Sequence, residues 1–140
     1  AANCQLIEAM TKIHQYTMLC APIMAQMAAI EALKNGDSDI GRMTQEYDRR
    51  RRLMVKRLND IGLSCFEPKG AFYAFPSIEI TGMSSEEFAE KLLLEEKVAA
   101  VPGSAFGQCG EGFLRCCYAT SLSNIEEALK RMGRFVKKYG

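Results

Sequence analysis

GEGFLRCCYATS, residues 110–121, reads as a β-strand entered through two glycines with an arginine at its centre, and the place of that strand decides the fold. Alternation sets Phe113, Arg115 and Cys117 on one face and Leu114, Cys116 and Tyr118 on the other. An arginine among apolar neighbours has two readings. Its planar guanidinium can hold a carboxylate through two parallel hydrogen bonds and stays charged in a dry site. Alternatively it lies on an edge strand, its stem packed and its head in water. On the strand pattern alone the second reading is favoured.

Upstream, VAAVPG at 98–103 reads as a brief buried strand ended by Pro102. VPGSAFG at 101–107 offers clustered backbone N–H groups, a possible anion nest, but lacks GxGxxG or Walker spacing, so an ordinary strand exit is the simpler reading. SSEEFAEKLLLEEK at 84–97 opens with Ser84 three residues before Glu87, a capping-box pattern ahead of an amphipathic helix. Downstream, Ser123 and Glu126 form a second such box, starting a helix with Leu122, Ile125, Leu129, Met132 and Val136 on one side.

LSCFEPKGAFYAFPSI at 63–78 reads as a hairpin, with a short strand, a Pro-Lys-Gly turn and an aromatic strand. In it Phe72 and Tyr73 fall on opposite faces, with core as their default role. A helix is predicted from about Ser38 to Asp60, stopped by Gly62, with Met43, Tyr47, Met54, Leu58 and Ile61 on one stripe. Residues 5–34 carry two helical pieces joined near Thr17–Ala21, with Pro22 in the first turn of the second. The order is helices first, then β-β-α-β-β-α. It predicts an α/β fold of the α+β sandwich kind, a small mixed or antiparallel sheet covered on one face by helices and preceded by a long connecting helix.

The 140 residues carry 18 Lys and Arg against 17 Asp and Glu, for a net charge of +1, so no overall field gathers nucleic acid or an anionic membrane. No apolar run is long enough to span a bilayer. The six cysteines are too scattered for a disulfide framework, and with one histidine and no CxxC there is little from which to build a metal site. A reducing cytoplasm is the expected compartment. Arg49–Arg52 fan around a helix beside Glu46 and Asp48 as a solvated, salt-paired face. His14, Lys12 and Lys69 have no partner spacing that marks them as catalytic.

In order, KGAFYAFP, VAAVPGSAFG and GEGFLRCCYATS, followed by IEEALKRM, resemble the C-terminal part of class I/II aminotransferases, the fold-type I pyridoxal-phosphate enzymes. The aspartate, aromatic and alanine/kynurenine types are the most similar. IHQYTMLCAPIMAQMAAIEAL resembles the family segment after the cofactor lysine. The resemblance implies that residues 1–36 belong to the end of the large domain and 37–140 form the small domain. It implies that Arg115 grips the substrate α-carboxylate. It puts Gly70 and Phe72 near the substrate side and Tyr16 near a dimer interface. It implies amino-acid and 2-oxo acid substrates, a homodimer, and pyridoxal 5'-phosphate in the full-length enzyme. The family's Schiff-base lysine and most cofactor ligands precede the matched segment. The resemblance therefore implies that this chain alone binds no cofactor and is inactive. Two rival readings are a free-standing amino-acid-binding α/β module without catalysis, and a small interaction domain whose arginine run contacts RNA.

Overall fold

The computed structural model describes residues 3–140; residues 1 and 2, at the start of the expected 1–36 segment, lie outside it. The chain divides into two compact units, the first ending at Arg42 and the second comprising Met43–Gly140.

The first unit holds α1 (Cys4–Thr17) and α2 (Ile23–Asn35). The Asn3 side chain caps α1 by accepting from the Gln5 N–H at 2.9 Å. The chain leaves α1 through Met18 and a left-handed Leu19 (φ 62°), which is the joint read from the sequence. Pro22 is the N-cap residue of α2, one position before the expected first turn. Its ψ of 139° is extended, so helical geometry begins only at Ile23.

α3 (Asp37–Asp60) contains the boundary between the units. Its stop is at Gly62, whose φ of 91° lets the Gly62 and Leu63 N–H groups turn back onto the Asn59 and Leu58 carbonyls, each at 3.0 Å. Of its predicted stripe, Met54 and Leu58 are buried, Tyr47 and Ile61 pack partly, and Met43 is exposed.

The hairpin at 63–78 does not form. After Leu63 the chain is held by a side chain: the Asn59 amide donates to the Cys65 carbonyl (3.1 Å) and accepts its N–H (3.1 Å). In place of a ladder, the Ser77 N–H reaches across to the Ser64 carbonyl at 2.8 Å and the Phe75 backbone to the Cys65 thiol. Ala71, with φ 58°, breaks the extended run, and the strand is confined to β1 (Tyr73–Ala74).

α4 (Ser85–Glu96) follows, its Ser84 cap accepting from the Glu87 N–H at 3.2 Å. The Glu87 carboxylate turns to Lys91 (2.7 Å) and does not complete the box. Next come β2 (Val101–Pro102), two short 3-10 turns at Gly103–Phe106 and Gln108–Gly110, β3 (Leu114–Cys117) and α5 (Leu122–Tyr139). α5 is capped by Ser121, which accepts from Asn124, and not by Ser123; the helix starts early enough for Leu122 to lie inside it.

The sheet is antiparallel with order β1-β3-β2, registered by Tyr73 opposite Cys117 and Val101 opposite Arg115. β3 is therefore the central strand, and Arg115 is not the edge residue that its local pattern favoured. Leu114, Cys116 and Tyr118 point into the core with Leu58, Phe88, Leu92, Ile125, Leu129 and Phe135. Each fully buried large side chain stabilises this unit by about 1.5–3 kcal/mol. Phe113, Arg115 and Cys117 stay on the open face, while residues of α3, α4 and α5 pack on the other. No helix among the described residues is long and apolar enough to cross a membrane.

Candidate functional site

Arg115 is half-buried on the open face, in the strand that both neighbours hydrogen-bond. Among the described residues no carboxylate pairs with it, whereas Arg50, Arg51 and Arg52 of the arginine run all pair with acids on α3 or with Glu67. Its guanidinium carbon lies 4.5 Å from the Tyr73 ring centroid and 4.7 Å from that of Phe106. Beyond Phe106 the aromatic surface continues, with Phe75 edge-on to it at 6.1 Å and Phe113 stacked on Phe75 at 5.8 Å. A permanently charged fork set among rings, with no counter-ion among the described residues, has its hydrogen-bond donors free to pair with an anion.

The backbone around this site is tightly fitted. A Cβ on Gly103 would stand 2.1 Å from the Gly110 carbonyl oxygen, and one on Gly110 would stand 2.0 Å from that of Gly103. This close approach folds residues 103–110 over the end of β3 and brings Phe106 to Arg115. The N–H groups of Gly103, Gly107 and Gly110 donate to Phe113, Ser104 and Gly107 carbonyls. These three donors are therefore already used, and the loop's contact with Arg115 is the Phe106 ring. The Ser85 hydroxyl accepts from the Gly112 N–H at 3.0 Å, and the Ser85 N–H donates to Glu111 at 2.8 Å, tying the start of α4 to the entry of β3.

Gly70 and Phe72 lie on the turn before β1, and the inner face of β3 holds that turn. The Tyr118 hydroxyl donates to the Ala71 carbonyl at 3.1 Å, and the Tyr118 N–H donates to that of Phe72 at 3.0 Å. Phe72 is not on the face opposite Tyr73. Phe72 lies outside β1, the two rings meet at 4.6 Å, and Phe72 also stacks on Tyr47 at 6.1 Å. It is 40% exposed, so it is not core. Gly70 lines a separate cleft of about 530 Å³ with Tyr47, Asp48, Arg51, Glu67 and Ala71. Arg51 and Arg52 hold the Asp48 carboxyl below the usual carboxylate range by hydrogen bonding to it. Those charges are already paired, and the cleft includes neither Arg115 nor its rings.

Tyr16 is on α1 in the first unit, 92% exposed. His14 and Lys12 are likewise exposed on that helix. Cys116, on the inner face of β3, is pushed up to about 12 by burial, while Cys117 on the open face is exposed. Strand parity thus buries one of two adjacent thiols and exposes the other.

Sequence reasoning gave Tyr73 a core role by default, whereas its half-buried ring faces Arg115, and it did not single out Phe106. The period-two spacing of Tyr73 and Phe75 was a usable signal for a shared face. Nothing local marks Phe106, because its approach to Arg115 depends on the Gly103–Gly110 contact.

Residues 1–132 match the family model described as aminotransferase class I and II. The chain is 62% identical over 138 residues to YugH of Bacillus subtilis, covering 99% of this chain and 36% of that protein. It is 48% identical over 140 residues to an aspartate aminotransferase of Pyrococcus abyssi, again over 99% of this chain and 36% of that protein. Among solved structures, the aromatic aminotransferase from Pyrococcus horikoshii OT3 superposes with a TM-score of 0.92 at 48% identity, over 99% of this chain and 37% of that one. The chain thus spans little more than a third of the length of the relatives it matches, in sequence and in fold alike. By the family model and by these relatives, it belongs to the class I and II aminotransferases.

Proposed function

We propose that this chain is the C-terminal part of an aminotransferase that exchanges an amino group between an amino acid and a 2-oxo acid, and that Arg115 binds the substrate α-carboxylate. The observation that carries the proposal is the unpaired guanidinium of Arg115 on the open face of the sheet. Amino acids and 2-oxo acids share the α-carboxylate, so one arginine serves both halves of the exchange. A bidentate pair there fixes the α-carbon relative to the sheet, which is catalysis by positioning. Losing one partner of such a pair costs about 3–5 kcal/mol.

Pyridoxal 5'-phosphate is the cofactor the family implies, supplying an electron sink at the α-carbon. The described residues do not fit it by themselves. A Schiff-base lysine must be desolvated to present a neutral amine. Every lysine here is exposed except Lys91, which is half-buried and held as a cation by Glu87. We therefore read residues 37–140 as the small domain and 1–36 as the end of the large one, with the cofactor lysine elsewhere in the complete enzyme. On the same reading the complete enzyme is a homodimer, with Tyr16 near its interface and Gly70 and Phe72 toward the substrate side. The chain alone is then inactive.

The test is Arg115→Lys in the complete enzyme. It keeps the charge but loses the fork, so KM for amino acids rises while the cofactor absorbance stays unchanged. An unchanged KM refutes the carboxylate role.

A further inference from the structure

We infer that Tyr73 and Phe106 are positioning residues for Arg115: they hold its guanidinium in place through their rings and leave its hydrogen-bond donors for the ligand. This rests on the carboxylate reading above. An arginine on a sheet is normally fixed by a carboxylate or by backbone carbonyls. Either occupies N–H donors, and a carboxylate also cancels the charge that a substrate would meet. Arg51 is held in that way, by Asp48 and Glu67. Arg50 touches the Tyr47 ring at 5.6 Å but is also paired with Glu46.

Arg115 differs from both. Among the described residues none accepts a hydrogen bond from it, yet two rings stand within 4.7 Å of its guanidinium carbon. The rings come from the two sides of the central strand. Tyr73 is in β1, in register with Cys117, and Phe106 is in the turn that follows β2. Attraction between a cation and a ring face acts on the charge and takes no donor, so all five N–H groups remain unused. The rings also displace water from the sides they cover. A carboxylate then meets a fork whose position is already set, which lowers the ordering cost of binding. Phe106 is 55% exposed but not loosely placed, because Phe75 packs against its edge and Phe113 stacks on Phe75.

The experiment uses the complete holoenzyme with Phe106→Leu and Tyr73→Leu, the conservative Phe106→Tyr and Tyr73→Phe, and Arg115→Lys as reference. The leucine variants are expected to raise KM for the amino acid by roughly fivefold or more, the scale of one partly desolvated cation–ring contact. Their kcat at saturation stays within about twofold and the cofactor absorbance is unchanged, while both conservative variants keep KM near the parent. If Arg115→Lys raises KM and neither leucine variant does, the positioning role is wrong and the carboxylate role survives. If Arg115→Lys also leaves KM unchanged, both fall. A loss of kcat with a lowered unfolding midpoint, unrescued by the conservative changes, means that the rings are structural only and overturns the inference.

Discussion

Gly103→Ala puts one methyl group where the backbone has left no room. The new Cβ meets the Gly110 carbonyl oxygen at 2.1 Å and the Phe113 carbonyl oxygen at 2.8 Å, and both neighbours are main chain, which cannot rotate aside. Relief requires the 103–110 segment to move off the end of β3. That movement breaks the Gly103 N–H bond to Phe113 (2.9 Å) and strains the pairing of Pro102 with Leu114. The lost hydrogen bond costs about 1 kcal/mol. Overpacking adds about 1–3 kcal/mol, so the expected destabilisation is about 2–4 kcal/mol. Urea unfolding of the chain followed by far-UV circular dichroism measures it. Gly70→Ala serves as the control, since nothing lies within 4 Å of its Cβ, and it is expected to stay within about 0.5 kcal/mol of the parent. Equal midpoints for Gly103→Ala and Gly70→Ala would refute the claim that this contact builds the site.

Two further outcomes follow from burial and charge. At pH 8 a thiol reagent is expected to label Cys109 and Cys117 rapidly and to spare Cys65 and Cys116, with all six reacting in urea; labelling of native Cys116 at the Cys109 rate contradicts the buried inner face of β3. Because Arg51 and Arg52 depress the Asp48 carboxyl in the folded chain, its stabilisation is fully present above the ordinary carboxylate range near pH ~4 and is lost as pH falls through the lower folded value. Asp48→Asn should therefore flatten the acid limb of a stability profile measured from neutral pH downward, and an unaltered acid slope would exclude that pairing in solution.

What the sequence revealed and what it concealed divide by range of interaction. The stops and starts carried by single residues were legible: Gly62 ends α3, Ser84 caps α4, and the apolar spacing from Ile125 to Val136 marks the buried side of α5. The hairpin was misread because the polar groups of the Cys65 backbone are satisfied by Asn59, a side chain on the preceding helix, where pattern reading assumes a ladder. Arg115 was placed correctly on a strand face, but its edge-or-centre position depended on strands 14 and about 40 residues away. Phe106 was concealed for the same reason, since a contact between two glycines seven residues apart carries its ring to the arginine. The cap of α5 slipped by two residues because Ser121 and Ser123 both offer a hydroxyl, which here also bond each other at 3.0 Å.

The role of the open-face arginine is tested most directly by asking the complete enzyme to discriminate a carboxylate from its neutral isostere. An amino acid and its α-carboxamide are compared by kcat/KM in the parent and in Arg115→Gln. A desolvated charge pair of about 3–5 kcal/mol predicts a preference for the acid of roughly 100-fold or more in the parent. In Arg115→Gln that preference should collapse to within about fivefold, because the charge that distinguishes the two ligands is gone. A variant that keeps the full preference for the carboxylate would contradict the account, since some other cation would then be reading the substrate.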